Sequence, residues 1–345
     1  MTATPPTVDP RSYIHMSLIG GHRQAYIDLF GPMFGLSPSV GPIKAGMWWK
    51  LVRARRLMFG TLDENLLGFI LVAVARSLIG RRTAGLFLHP NSCLESGGKA
   101  WVKWLVFALL SRWPLVSVIS IIPFELMPGG HNIATYGLHD PQFWDQLEEP
   151  PVPDAAAIAA IEAAAAGRPV LAFIGGITHA KAFPRLASLF AASDELRRAI
   201  HLVVAGRCYD IEAKEVTAIE ALGAQVWNRF VSDEEIAAAY VAADWVWLNY
   251  SPGYEQASGI FGRAVQWGRP VLLRHDSRIL AGYVDMLDHP AMHLAADDAE
   301  AIAQLTAMVH TRGQADTERS AAQSRETCAR WKQEFVATLT RAMGE

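Results

Sequence analysis

Between residues 170 and 274 the chain alternates short apolar runs with longer amphipathic ones, and this rhythm restricts the fold more than any other feature. Segments 170–174, 201–205, 225–230, 245–249 and 271–274 read as buried strands. Segments 181–192, 211–222, 232–243 and 258–267 between them read as helices. The third of these opens on Ser232-Asp-Glu-Glu235, a capping box in which the serine caps and the glutamate three residues on reaches back. Strands spaced by helices of this length pair in parallel, so the second half is expected to be a β-α-β sheet.

The first half repeats the theme less regularly. Segment 13–19 reads as a strand ending in Gly20-Gly21, and 24–34 as a helix. Segments 84–88 and 115–122 read as strands, with a fainter one at 133–137. Residues 44–59 interleave tryptophan and aliphatic side chains with Lys50, Arg53, Arg55 and Arg56, and 99–113 has similar content. The clustered prolines of Glu148-Glu-Pro-Pro-Val-Pro153 are the best linker candidate, because they stop regular structure. Two Rossmann-like domains are therefore expected, over 1–150 and 151–345. The tail, 318–343, reads as one or two amphipathic helices.

The 345 residues suit two domains, and an apolar fraction of 51% supplies the cores. The three cysteines are far apart and match no zinc spacing, which fits a reducing compartment. No secretory signal is expected at the polar, proline-rich start, and the apolar runs at 66–75 and 114–124 are about half of a membrane span. Charge is divided. Residues 1–139 carry 13 Lys/Arg against 6 Asp/Glu, whereas 151–345 carry 18 against 24. A basic front half with aromatic, cationic helices suits anionic partners, and an anionic membrane surface is favoured over nucleic acid, for which no recognition motif is present.

Open parallel sheets bind ligands outside the carboxyl ends of their strands. Gly175 and Gly176 follow the strand at 170–174, with Lys181 just beyond; glycines admit a phosphate to the backbone and lysine adds charge. Gly206 and Arg207 follow 201–205. Glu255 and the Ala257-Ser258-Gly259 step follow 245–249, opening a helix whose first amides favour an anion. An acid is a poor neighbour for phosphate, so Glu255 is expected to accept hydrogen bonds from hydroxyls. Phosphate donors beside a hydroxyl acceptor describe a nucleotide-sugar site. In the first half Gly20 and Gly21, His89 and Glu125 stand at or just after strand ends.

These segments resemble the donor domain of retaining, GT-B-fold glycosyltransferases of family four. Gly175-Gly-Ile-Thr-His-Ala-Lys181 is similar to that family's glycine-rich donor loop, with Gly176 where the family has arginine. Arg229-Phe-Val-Ser-Asp-Glu-Glu-Ile236 resembles a second motif. The run from Glu255 through Ala264, Gly268, Pro270 and Val271 resembles a third. The third departs at Arg263, which stands where the family has a ribose-holding glutamate; arginine cannot accept a hydrogen bond. Arg263 is expected to bind phosphate in place of the arginine missing at Gly176, or the donor is held differently, with the backbone of the Gln256–Gly259 step carrying more of it; the alternative is an exposed helix residue in a degenerate, inactive site.

The resemblance covers about a third of the chain well. It implies a GT-B fold, two Rossmann-like domains facing each other across a cleft with the C-terminal helix near the hinge. It implies a retaining, metal-independent transferase with no cofactor beyond its nucleotide-diphosphate sugar. Gly20 and Gly21 would face the donor phosphates, with Gly175, Gly176, Lys181, Arg207, Arg229, Ser258, Gly259 and Arg263 also at the donor. Glu255 would orient the sugar, and His89 or Glu125 would touch acceptor or sugar. The acceptor would be a saccharide, lipid-linked in the synthesis of a bacterial surface polymer, and the protein would work in the cytoplasm at the inner face of the cell membrane. A sugar-nucleotide epimerase and an inactive pseudo-transferase that binds membrane or partners are the alternatives.

Overall fold

The computed structural model describes residues 9–20, 22–94, 97–308 and 314–344. The chain forms two compact units, one of Met1–Pro141 with Arg330–Glu345, the other of Gln142–Ala329. The passage between them falls nine residues before the proline cluster. Residues 142–150, expected with the first half, fold with the second, where Phe143 packs edge-on against Phe261 at 5.5 Å between ring centres.

The second unit holds β7 (Val170–Ile174), β8 (His201–Ala205), β9 (Gln225–Trp227), β10 (Trp245–Leu248), β11 (Val271–Arg274) and β12 (Ala291–Leu294). All pair in parallel, in the order β12-β11-β10-β7-β8-β9. Every residue of β7, β8 and β11 is buried, as expected of strands covered on both faces. The strand order reverses between β7 and β10, which makes their carboxyl ends the switch point where such sheets open a crevice. The predicted capping box is present at the start of α9 (Asp233–Ala242).

The first unit is a second parallel sheet, ordered β2-β1-β3-β4-β5-β6. Its strands are β1 (Asp9–Met16), β2 (Leu36–Val40), β3 (Leu57–Phe59), β4 (Thr83–Phe87), β5 (Val116–Ser120) and the two-residue β6 (Tyr136–Gly137). Its switch point lies between β1 and β3. The basic run 44–59 is not one helix: α2 (Ala45–Arg53) stops, and β3 completes the segment. The connections from β2 to β3, β3 to β4 and β4 to β5 advance in one direction. Right-handed crossovers then put α2, α3 (Leu66–Leu78) and α4 (Gly98–Ser111) on one face of the sheet. Leu51, Phe69, Val72 and Phe107 accordingly share one core cluster.

Arg76 holds this layer together. It is fully buried, and its guanidinium donates to the carbonyls of Leu51 (2.9 Å), Val52 (3.2 Å), Ala54 (2.8 Å) and Arg82 (2.7 Å) and to Thr83 Oγ1 (3.0 Å). It thereby joins the end of α2 to the start of β4. Burial lowers its pKa to about 10, which leaves it charged at neutral pH.

The tail folds as the single helix α13 (Gln314–Met343). In the first unit Phe335 stacks on Phe30 and Trp331 on His139. In the second, Arg325 Nε donates to Gln266 O at 2.8 Å.

Arg76→Met should strip several buried carbonyls of their donor and lower unfolding stability by about 3 kcal/mol. Arg76→Lys should recover only a small part of this, because one ammonium cannot match a planar fork. Denaturant unfolding of the two variants tests both statements.

Candidate functional site

The crevice of the second unit is built on a close approach of two chains. Gly175 N donates to Ala205 O at 2.8 Å, and a Cβ on Gly206 would overlap the Gly175 carbonyl, so only glycine fits at 206. Gly175 has φ +91°, which favours glycine again. A Cβ at 175 would also overlap Lys181 Nζ and would lie 3.2 Å from Ile260 Cδ1. The glycine step, the lysine ammonium and the first turn of α10 (Gly259–Gln266) thus converge at the switch point.

Lys181 Nζ lies 3.4 Å from Ile174 O, and among the described residues no carboxylate pairs with it. Burial lowers its pKa from the usual 10.5 to about 8. Its loop is fixed on the other side. Trp247 Nε1 donates to Lys181 O at 3.2 Å, and the Ser251 amide and hydroxyl both reach Ala180 O at 3.0 Å. Arg207 is exposed beyond β8 with its guanidinium 5.9 Å from the Tyr209 ring centre, and Tyr209 lies over Gly176, where a Cβ would be 3.0 Å from the ring. Ser258 caps α10 through Phe261 N (3.4 Å) and meets Tyr250 Oη at 3.3 Å. The end of the Gln142 side chain lies against Gly259, in the space that a Cβ there would take.

Three predicted site residues have other tasks. Glu255 is not an open hydroxyl acceptor. One carboxylate oxygen accepts from Arg274 Nη2 at 2.5 Å, and the other accepts from the amides of Arg278 and Ile279 at 3.1 Å each. It neutralises a buried arginine and caps the start of α11 (Ile279–Leu287). Arg263 is neither exposed nor turned to a phosphate: its Nη2 lies 3.1 Å from Asp145 Oδ2, and Asp145 Oδ1 accepts from Gln266 Nε2 at 2.9 Å. A buried cation needs a counter-charge, and Asp145 supplies it. Although burial disfavours the charged form, Asp145 holds the Arg263 pKa above the ordinary arginine value. Arg229 is taken up by the capping box: its guanidinium binds both oxygens of Glu235, whose pKa falls to about 2.

In the first unit Gly20, at φ +115°, leads into α1 (His22–Phe34); Gly21 lies outside the described residues. Arg23 pairs with Glu64 across the switch point of that sheet. His89 stands half-exposed beyond β4 with Nδ1 3.4 Å from Asp63 Oδ1. Asp63 Oδ2 accepts from Leu88 N at 2.8 Å, and Lys103 Nζ lies 3.8 Å from Oδ1. Burial opposes ionisation of Asp63, but His89, the Leu88 amide and Lys103 hold its pKa below the ordinary carboxylate value. Glu125 is exposed and pairs with no cation among the described residues. Asp63 escaped the sequence reading because β3, which precedes it, was read as part of a helix, and Lys103 was read only as one of the cations of segment 99–113. Arg274 and Asp145 escaped it because a charge inside an apolar run shows no partner in sequence.

Glu255→Ala should therefore lower stability by about 3 kcal/mol, since it leaves Arg274 short of a counter-charge and uncaps α11. A thermal melt of the variant checks this, and an unchanged melting temperature would return Glu255 to the open-acceptor role.

No protein-family profile matches the sequence, and no curated protein matches it. Solved structures do. HepE of Anabaena in complex with UDP superposes with a TM-score of 0.67 at 12% identity, covering 96% of this chain and 100% of that one. Sucrose-phosphate synthase from Thermosynechococcus elongatus gives 0.57 at 12% identity, covering 97% and 86%. WaaG, a glycosyltransferase involved in lipopolysaccharide biosynthesis, gives 0.51 at 12% identity, covering 92% and 94%. With its two parallel six-stranded Rossmann units, the chain has the GT-B glycosyltransferase fold.

Proposed function

We propose that this protein transfers a sugar from a nucleotide-diphosphate donor to an acceptor hydroxyl. The observation that carries the reading is Lys181, a cation with no carboxylate partner among the described residues, set against a glycine step and a helix start at the switch point of the second sheet. Such a place suits a diphosphate. Support comes from HepE, solved in complex with UDP and with UDP-glucose, and from WaaG, described as a glycosyltransferase.

In the transfer, the bond from the anomeric carbon to the diphosphate oxygen breaks, and its electron pair leaves with the diphosphate. Lys181 Nζ and the first amides of α10 meet that growing charge, which stabilises the transition state more than the ground state. Arg207 supplies a further cation from β8. The acceptor oxygen bonds to the anomeric carbon; in a retaining course it enters on the face the diphosphate leaves, so its proton passes to the departing phosphate oxygen. Glu255 contributes by holding Arg274 and α11, not by touching the sugar. On the first unit His89, oriented by Asp63, is placed to bind an acceptor hydroxyl. The acceptor is a saccharide, lipid-linked and met at the cytoplasmic membrane face, a reading supported by eleven Lys/Arg against three acids over residues 29–124. No helix among the described residues is long and apolar enough to cross a membrane.

Thermal-shift titration against UDP-, GDP- and ADP-sugars tests the donor. At least one should bind, and Lys181→Met should weaken it roughly 10- to 100-fold without lowering the melting temperature of the free protein, since losing a charge-assisted contact costs about that much. Binding of none would leave an inactive relative of the fold, and turnover without any acceptor would mark an epimerase. Affinity should also depend on pH. The ammonium form binds the anion, and in the free protein it is lost as pH rises through about 8, so affinity should hold at pH 7 and decline towards pH 10. Lys181→Met should abolish that slope.

A further inference from the structure

Helix α3 is built the wrong way round for a surface helix. Its outward positions are Leu67, Leu71, Val74 and Leu78, spaced four, three and four residues, and they form one stripe. Leu78 is 83% exposed and Leu67 68%. Its single charge, Arg76, points inward to the carbonyls of the α2 end and of Arg82. Helices that are apolar all round are normally enclosed by protein or by lipid. Here the neighbouring helices continue the surface. On α4, Trp101, Val102, Leu105 and Leu109 face out, and on α2 Trp49 does so with the Arg53 guanidinium 5.3 Å from its ring centre. This exceeds the scattered apolar exposure that any soluble surface shows.

We propose that the outer face of α3, continued by α2 and α4, enters the headgroup boundary of a lipid bilayer and lies there in the membrane plane. The occupant is lipid because the rim is cationic. Lys50, Arg53 and Arg55 stand out on the α2 side, and Lys99 and Arg112 at the two ends of α4, while α2, α3 and α4 carry no Asp or Glu. Anionic headgroups complement that rim, and acyl chains complement the stripe. A helix of 13 residues is about 20 Å long, short of the roughly 30 Å hydrocarbon core, so it lies along the surface and does not span it. The inference deepens the membrane part of the proposed function. It replaces a mainly electrostatic contact by the basic helices with an apolar wedge steered by charge, and it does not depend on the donor chemistry.

The test is flotation of the full chain with vesicles of phosphatidylcholine containing phosphatidylglycerol, at low and at high salt. The wild type should float with the vesicles and keep a substantial bound fraction in about 0.5 M salt, where exposed charges are largely screened. L71S/L78S should lower the partition coefficient roughly 100-fold, about tenfold for each leucine withdrawn from the lipid, with an unchanged melting temperature. Three outcomes would overturn the proposal: no flotation of the wild type, flotation abolished by salt alone, or L71S/L78S floating as the wild type does. A dimer in sedimentation that L71S/L78S dissociates, with no vesicle binding, would give this face to a second copy. Donor titration in the same samples separates the two readings. A nucleotide-sugar shift without flotation sinks only the wedge, and flotation without any shift sinks only the transfer reaction.

Discussion

The second unit depends on the reversal of strand order between β7 and β10. Crossover helices leave in opposite directions from these two strands, so no helix covers their carboxyl ends. What fills the gap is backbone: Gly206 approaches the Gly175 carbonyl so closely that it has no room for a side chain, while Gly175 is favoured by its positive φ. The amides of Gly175 and Gly206 are themselves bonded, to Ala205 O and Trp227 O, and Lys181 adds a charge with which no carboxylate among the described residues pairs. The depressed pKa of Lys181 follows from the same geometry, because the ammonium is held among backbone atoms in place of water.

The acids and arginines around this gap show the opposite economy. Glu255 with Arg274, Arg263 with Asp145 and Arg229 with Glu235 all close on one another. A buried charge without a partner is costly, so the buried Arg274 and Arg263 must be matched, whereas Arg229 is half-exposed and serves the capping box. The Arg263–Asp145 pair also ties residues 142–146 to α10, with Gln266 bonding both Gln142 O and Asp145. Arg263, at the position where the resembled motif has a glutamate, holds a neighbouring segment of its own unit.

The alternation of apolar strands with amphipathic helices was sufficient to read five of the six strands of the second sheet, because parallel strands buried on both faces are short apolar runs with helix-length spacers; the edge strand β12, only partly buried, was missed. The same logic missed β2 and β3 in the first sheet. Leu36–Val40 is interrupted by Pro38, and Leu57–Phe59 is three residues long directly after an arginine-rich helix, so neither has a period to recognise. In the second unit the positions of the glycines and Lys181 at the strand ends were legible, because they follow directly from where the strands end. Glu255, Arg263 and Arg229 were misread because their roles depend on partners 19, 118 and 6 residues away, and sequence position says nothing about which charges will meet. Helix α3 shows the same limit. Its apolar run was visible, but that the lone arginine turns inward and the leucines outward is a fact of packing.

The bond from the Trp247 indole to the Lys181 carbonyl has a spectroscopic consequence. An indole N–H held by a backbone carbonyl emits according to the strength and direction of that bond, and Trp247 is sealed from solvent. Any event that pulls the lysine loop towards or away from the sheet must therefore alter the emission of Trp247, which together with Trp144 is buried among the described residues. The protein carries an optical reporter wired to its own crevice.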